Sequence, residues 1–305
     1  MTIVVGYAPD GRGRAVLHLA GMLARSDREE LLLCAIVPEL WPPGPARVDA
    51  EYQADVEREA AAVLERARAR IGDDVTVSLA VRRSRSVPAG LLEAAERDEA
   101  TMIVAGSATA GGPGSVALGS TTSRLLHSSP IPVALAPQGF RAARDAHVTR
   151  VTAAYGGGDD ELVVAAAGVA ARVGAVLRLA SFAVHPRRPY TVAVGRAEDT
   201  AVKEWRDEIE AAQRAALERL RDLAAVPRDC EAVVGRGENW EEALDDVEWE
   251  VGDVLVVGSS STGPIARVFL GSRASKIVRH APVPVVLVPR GVVAELAGEA
   301  ESAEP

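Results

Sequence analysis

The chain has 305 residues, 48% of them apolar and 25% charged, a balance that excludes a wholly disordered or fibrous protein. Its 34 basic and 43 acidic side chains give a formal charge of −9, and aromatic residues total only 4%. Both figures argue against a general nucleic-acid binder, which presents a basic surface and aromatic stacking platforms.

In chain order, residues 2–7 form a continuous apolar run that reads as a strand, and residues 14–25 place small and apolar side chains at helical spacing. A second strand covers 31–37. The Ala/Glu/Arg-rich segment 50–71 is too long and too rich in helix formers to be anything but a helix. A strand at 76–81, a helix at 87–97, a strand at 102–105, a helix at 120–127 and a strand at 133–136 follow. The same succession then repeats: strand 149–155, helix 162–173, strand 176–182, helix 201–224, strand 232–234, helix 240–247, strand 254–257, helix 272–279 and strand 285–288. Short apolar strands alternating with helices predict a parallel sheet covered on both faces.

The repetition extends to single residues. At a constant offset of 152, Gly106 falls on Gly258, Gly119 on Gly271 and Ser120 on Ser272, while Pro130, Pro132 and Pro137 fall on Pro282, Pro284 and Pro289. The chain therefore reads as two copies of one domain, 1–138 and 147–290, joined by a polar Arg-rich linker. Residues 291–305 read as a disordered acidic tail without a packing pattern. Segments 38–49 and 184–199 carry prolines and read as irregular loops. Cys34 and Cys230 lie far apart in apolar strand-like runs and read as small buried hydrophobes, not as a disulfide or a zinc site. The opening residues do not resemble a secretory signal, and the longest apolar runs are too short to span a bilayer. A cytoplasmic protein without membrane insertion is the expectation.

Ligands of an open parallel sheet bind beyond the carboxyl ends of its strands, where strand order reverses. The loops leaving the fourth strand of each copy, 106–119 and 258–271, are glycine-rich and open onto a helix. Glycine permits close approach of backbone amides, and a helix start offers unpaired N–H donors and a positive dipole end. An anion cradle built from Gly106, Ser107, Thr109, Gly119, Ser120 and Thr121, and from Gly258, Ser259, Ser261, Gly271 and Ser272, is one reading. The other reading is structural, with Ser120 and Ser272 serving only as helix N-caps. Neither a P-loop nor a dinucleotide fingerprint is present.

The closing part of each copy carries a family resemblance. It runs strand, Gly-rich loop, Leu118-Gly119-Ser120, short helix and Pro-x-Pro strand, and again through Leu270-Gly271-Ser272 and His280-Ala281-Pro282-Val283-Pro284-Val285. This resembles the universal stress protein family in its tandem form. The resemblance implies an α/β fold of two repeated, doubly wound, five-stranded parallel sheets of Rossmann-like type. ATP-binding members share a pattern of Gly, two residues, Gly, nine residues, Gly, then Ser or Thr. Both copies keep the outer glycines at that spacing, but the middle glycine is Thr109 in one and Ser261 in the other. The Asp that the family often carries after the first strand falls on Ala8 and Gly156, with Asp10 and Asp159–Asp160 nearby.

The resemblance thus implies ATP or a related adenine nucleotide, with Mg as its companion ion, in a regulatory protein with at most slow hydrolysis. The first copy is favoured, because its loop keeps Gly111, Gly112 and Gly114 before Ser120-Thr121-Thr122. The alternative is a nucleotide-free module acting through protein contacts, with the two copies packed as an internal pseudo-dimer through their Pro-x-Pro strands and a homodimer as a further association. No Ser-His-Asp or Cys-His arrangement and no metal-spaced carboxylate cluster can be argued from the sequence. His127 and His280 fall at helix C-termini, and Trp240 and Trp249 read as packing anchors.

Overall fold

β-Branched and leucine-rich runs make the strands, and their burial on both faces fixes their place in the interior. A computed structural model describes the chain except residues 9–12, 40–45, 109–113, 115, 159, 186–191, 222–226, 228, 260–270 and 303–305. The first half comprises β1 (Thr2–Gly6), α1 (Arg14–Asp27), β2 (Glu30–Pro38), α2 (Ala46–Arg68), β3 (Val77–Ser84), α3 (Val87–Arg97), β4 (Ala100–Gly106), α4 (Ser120–Ser128) and β5 (Val133–Ala136). The second comprises β6 (Arg150–Ala154), α5 (Asp160–Val173), β7 (Val176–Val184), α6 (Val192–Leu220), β8 (Cys230–Gly237), α7 (Trp240–Asp245), β9 (Asp253–Gly258), α8 (Ser272–His280), β10 (Val285–Val288) and α9 (Arg290–Ser302).

The ten strands among the described residues form one sheet in the order β3-β2-β1-β4-β5-β10-β9-β6-β7-β8. Within each half every pairing is parallel, and the strand order is that of a doubly wound α/β unit. The halves meet through β5 and β10, which pair antiparallel with Val285 opposite Leu135 and Leu287 opposite Val133. This is the internal pseudo-dimer expected from the Pro-x-Pro strands. Proline has no N–H to donate, so it stands at the strand entrance and contributes its carbonyl instead. Ile103 N donates to Pro132 O at 3.0 Å, and Leu255 N donates to Pro284 O at 2.9 Å, the same bond in both halves. Both four-residue strands are buried throughout, because each now has neighbours on either side.

Alternate strand residues supply two apolar layers. Ile3, Val5, Leu31 and Leu33 face α1 and α2, while Val4, Leu32 and Ile36 face α3 and α4. Cys34 is buried there, and burial pushes its thiol up to about 11. Cys230 departs from expectation: it is exposed, because it opens the outermost strand of the sheet.

The second half carries a charge where the first carries a hydrocarbon. The third residue of β2 is Leu32, and the third of β7 is Arg178, 3% exposed. The guanidinium donates to Asp253 Oδ2 at 3.1 Å, to Thr152 Oγ1 at 3.1 Å and to Glu248 O at 2.8 Å, and lies 4.5 Å from the centre of the Trp249 ring. Asp253 is fully buried and also accepts from Arg150 Nε at 2.8 Å. Burial lowers the Arg178 pKa, and Asp253 opposes that shift. Trp249 also donates Nε1 to Leu244 O at 2.7 Å, which makes it the packing anchor expected.

The segment expected to be a disordered acidic tail forms α9 as far as Ser302. Val293, Ala297 and Ala300 repeat at helical spacing and are buried. Ala300 sits against Gly168 of α5, where an added Cβ would lie 2.9 Å from the Ala300 Cβ.

Removal of everything after Pro289 is therefore expected to uncover α5 and lower stability by about 2–4 kcal/mol, read as a fall in the melting temperature. Asp253→Ala strands a buried guanidinium and is expected to cost about 3–5 kcal/mol in chemical denaturation.

Candidate functional site

In the order β3-β2-β1-β4-β5, the chain reverses its direction of winding between β1 and β4. A crevice therefore opens beyond the carboxyl ends of these two strands. On one side, β1 passes into Tyr7, which is 4% exposed and whose N–H donates to Cys34 O at 2.9 Å. The Tyr7 ring leaves no room for a side chain at residue 13: a Cβ there would lie 2.8 Å from Tyr7 Cε2. On the other side, β4 ends at Gly106, where a Cβ would meet Val16 Cγ2 at 2.9 Å. That glycine lets α1 lie close against the strand end.

The loop after Gly106 is tied to itself. Ser107 N donates to Ala136 O at 3.0 Å and extends the β4–β5 ladder. Ser107 Oγ accepts from Ala117 N at 2.7 Å, and Ala108 N donates to Ala117 O at 2.9 Å. Gly119 N bonds Ala117 O at 3.2 Å, and the buried Val116 anchors the returning strand of the loop. A Cβ on Gly119 would fall 2.8 Å from the Ala108 Cβ, so the two limbs touch. Farther out, Gly114 has a φ of +80° and donates to Gln138 O at 2.9 Å. Thr109, Gly111 and Gly112 lie outside the described residues.

These bonds consume the amides of Ser107, Ala108 and Gly119, and they leave those of the helix start. Gly119, not Ser120, is the N-cap of α4, and no side chain caps the helix. The N-cap reading of Ser120 is thereby corrected. The first intrahelical bond runs from Ser123 N to Gly119 O at 2.8 Å. Among the described residues the amides of Ser120, Thr121 and Thr122 have no acceptor. Ser120 and Thr121 are exposed, whereas Thr122 is buried and its hydroxyl donates to Gly106 O at 3.4 Å. Three amides and two hydroxyls thus stand at a positive dipole end without a partner of their own.

The second crevice repeats this with differences. Tyr155, 5% exposed, follows β6 as Tyr7 follows β1, and Ser181 Oγ donates to its carbonyl at 2.8 Å. Gly271 is the N-cap of α8 and again no side chain caps it, so the N-cap reading of Ser272 is corrected as well. Ser272 is exposed. A Cβ on Gly258 would lie 3.4 Å from Leu162 Cδ2, an ordinary contact, so this glycine is less constrained than Gly106. Ser259 N donates to Val288 O at 3.0 Å, and Ser259 Oγ accepts from Arg290 N at 3.1 Å. The loop is thus tethered to the first residue of α9. Ser261 lies outside the described residues.

The positions that follow the first strand of each half, Ala8 and Gly156, are exposed and carry no carboxylate. Asp160 pairs with Arg219 at 2.6 Å on α6, and Asp10 and Asp159 lie outside the described residues. Arg14 and Arg124 are exposed and have no carboxylate partner among the described residues, and Arg12 is not described. Among the described residues no group of three His, Cys, Asp or Glu side chains is placed to hold a metal ion. No helix among them is long and apolar enough to cross a membrane. The paired tyrosines and the Ser107 staple escaped the sequence reading. The tyrosines had a signal in the repeat, since each closes an apolar strand before a glycine-containing turn.

A model of the Universal stress protein family matches residues 1–137 and 148–289. Proteins named universal stress protein from Mycobacterium tuberculosis and Mycobacterium bovis are 42% identical over 297 residues, spanning 95% of this chain and 100% of theirs. The crystal structure of a universal stress protein from Archaeoglobus fulgidus superposes with a TM-score of 0.56 at 19% identity, over 95% of this chain and 98% of that one. That likeness is one of fold.

Gly119→Val is expected to spread the two limbs of the loop and lower the melting temperature by several degrees even without a ligand, because its Cβ has no room beside Ala108. Thermal denaturation of the ligand-free protein checks this.

Proposed function

We propose, from the premise that the chain belongs to the universal stress protein family, that its first half binds an adenine nucleotide such as ATP beyond β1 and β4 as a regulatory ligand. The observation that carries the reading is the uncapped start of α4: three amides without acceptors, the exposed Ser120 and Thr121 hydroxyls and the helix dipole converge where a phosphate would sit. The outer glycines support it, since Gly106 and Gly119 let α1 and the loop close around that point. Thr109 would contribute a hydroxyl in place of the family's middle glycine. In the second half Gly258, Ser259, Ser261, Gly271 and Ser272 offer a similar but weaker site, because α8 opens with Ser272-Arg273-Ala274 and so has one hydroxyl where α4 opens with Ser120-Thr121-Thr122. Mg²⁺ would come with the nucleotide and be held chiefly by its phosphates.

A second reading, a nucleotide-free scaffold acting through protein contacts, is favoured by the missing carboxylate at Ala8 and Gly156. The β5–β10 joint already gives such a scaffold its shape.

The two readings separate on a variant that leaves the helix intact. A carboxylate in the first turn stabilises a helix but repels phosphate. Ser120→Glu is therefore expected to keep or raise the melting temperature while weakening ATP affinity by about tenfold or more in calorimetric titration with Mg²⁺. Ser272→Glu is expected to have little effect on that event. The absence of any heat or thermal stabilisation at millimolar ATP would favour the scaffold.

A further inference from the structure

The helices over the β5–β10 joint carry a charge opposite to that of the molecule. On one face of the sheet Leu125 and Leu126 of α4 and Ile277 and Val278 of α8 share an apolar layer with Leu135 and Leu287 of the joined strands. α4 and α8 are the middle helices of this face, with α3 packed outside α4 and α7 outside α8. The chain has a formal charge of −9, yet neither middle helix contains an aspartate or a glutamate. Together they carry Arg124, Arg273, Lys276 and Arg279, with His127 and His280 in their last turns.

These cations do not hold the fold together. Arg124, Arg273, Lys276 and Arg279 are exposed, and none has a carboxylate partner among the described residues. Exposed arginines elsewhere do have one: Arg83 is paired with Glu57, Arg172 with Asp27 and Arg219 with Asp160. Lys276 lies 5.8 Å from the centre of the Trp240 ring, which orients the ammonium without neutralising it. A helix C-terminus favours Arg279 and His280. It does not account for Arg124, in mid-helix, or for Arg273, in a first turn where the dipole opposes a cation. At the repeat offset of 152, Lys276 matches Arg124 and Arg279 matches His127, so both halves bring the same basic positions to the joint.

The flanks narrow the choice of partner. Glu93 and Glu96 are exposed on α3, beside Arg97, and Glu241, Glu242 and Asp245 are exposed on α7. Helices packed side by side lie about 10 Å apart, so the positive band is narrow. A membrane surface or a nucleic-acid duplex is broader than the band and meets the carboxylates on either side of it. A single extended chain does not. Neither middle helix contains an aromatic residue, so the bases of a single strand find no stacking platform.

We infer that the outer face of α4 and α8 is a docking surface for an extended acidic segment of a partner protein. The carboxylates of that segment lie over Arg124, Lys276 and Arg279, and the acidic flanks keep it within the band. The surface draws on both halves, so it requires the joined sheet. It rests on no nucleotide in either crevice.

The test uses the full chain and a dye-labelled decaglutamate peptide, followed by fluorescence anisotropy. Saturable binding is expected, weakening about tenfold between about 50 and about 200 mM salt. Arg124→Glu combined with Lys276→Glu is expected to weaken it about tenfold or more at unchanged melting temperature. Arg124→Ala combined with Arg279→Ala is expected to weaken it about threefold or more, and serves should the first pair destabilise the fold. Arg66→Glu combined with Arg70→Glu changes the net charge as much as the first pair, from exposed positions on and after α2, and is expected to leave binding intact. Absence of saturable binding, an equal loss in the α2 variant, or binding of phosphatidylglycerol vesicles or duplex DNA as tight as that of the peptide would each overturn the inference.

Discussion

The antiparallel pairing of β5 with β10 is the constraint on which the rest of this molecule depends. Each strand is four apolar residues, buried throughout, which an exposed sheet edge would open to solvent and to stray pairing. Joined, they convert two small sheets into one and bury the last strand of each half on both sides. The proline before each strand suits this use, since it opens the ladder with a carbonyl and demands no acceptor of its own. Because the joint is antiparallel while each half is internally parallel, the two crevices open at opposite ends of the sheet. A ligand in one crevice does not touch a ligand in the other; between them the halves are joined by the shared strands, by the Arg172–Asp27 pair of α5 and α1 and by the bond from Val148 N to Ser26 Oγ.

The fold was legible because the strands are continuous apolar runs and the helices carry long stretches of good helix formers. Both signals survive without tertiary information. The repeat added a second reading of every element. What was not legible depended on a partner. Helix α9 has a weak apolar stripe of Val293, Ala297 and Ala300, and it becomes a packing face only because Gly168 on α5 leaves a groove for it. Arg178 is the one charged residue of β7, and nothing local says that Asp253, which is 75 residues away, neutralises it. Cys230 reads as a core residue because Ala232, Val233 and Val234 follow it, but it opens the outermost strand between Asp229 and Glu231 and is exposed.

The candidate site divides along the same line. Glycine spacing and the helix start could be read directly, since they are backbone properties written in residue type. The use of each serine could not. Ser107 looked like a phosphate donor and turns its hydroxyl to Ala117 N, closing the loop. Ser120 looked like a cap and is the first helical residue instead, left facing outward. Hydroxyls are short and choose among nearby backbone groups, so their roles follow from loop closure, which only the folded chain decides.

The linker between the halves has a consequence for how such a protein diverges. Two separate subunits of this shape would come apart on dilution, and every substitution would appear twice, once on each side of the axis. A covalent tether makes their association unimolecular and sets their ratio permanently at one to one. Each side is then free to change alone. One can add a helix after its last strand or admit an arginine to its interior while the other keeps its own packing, and neither change has to be tolerated in duplicate.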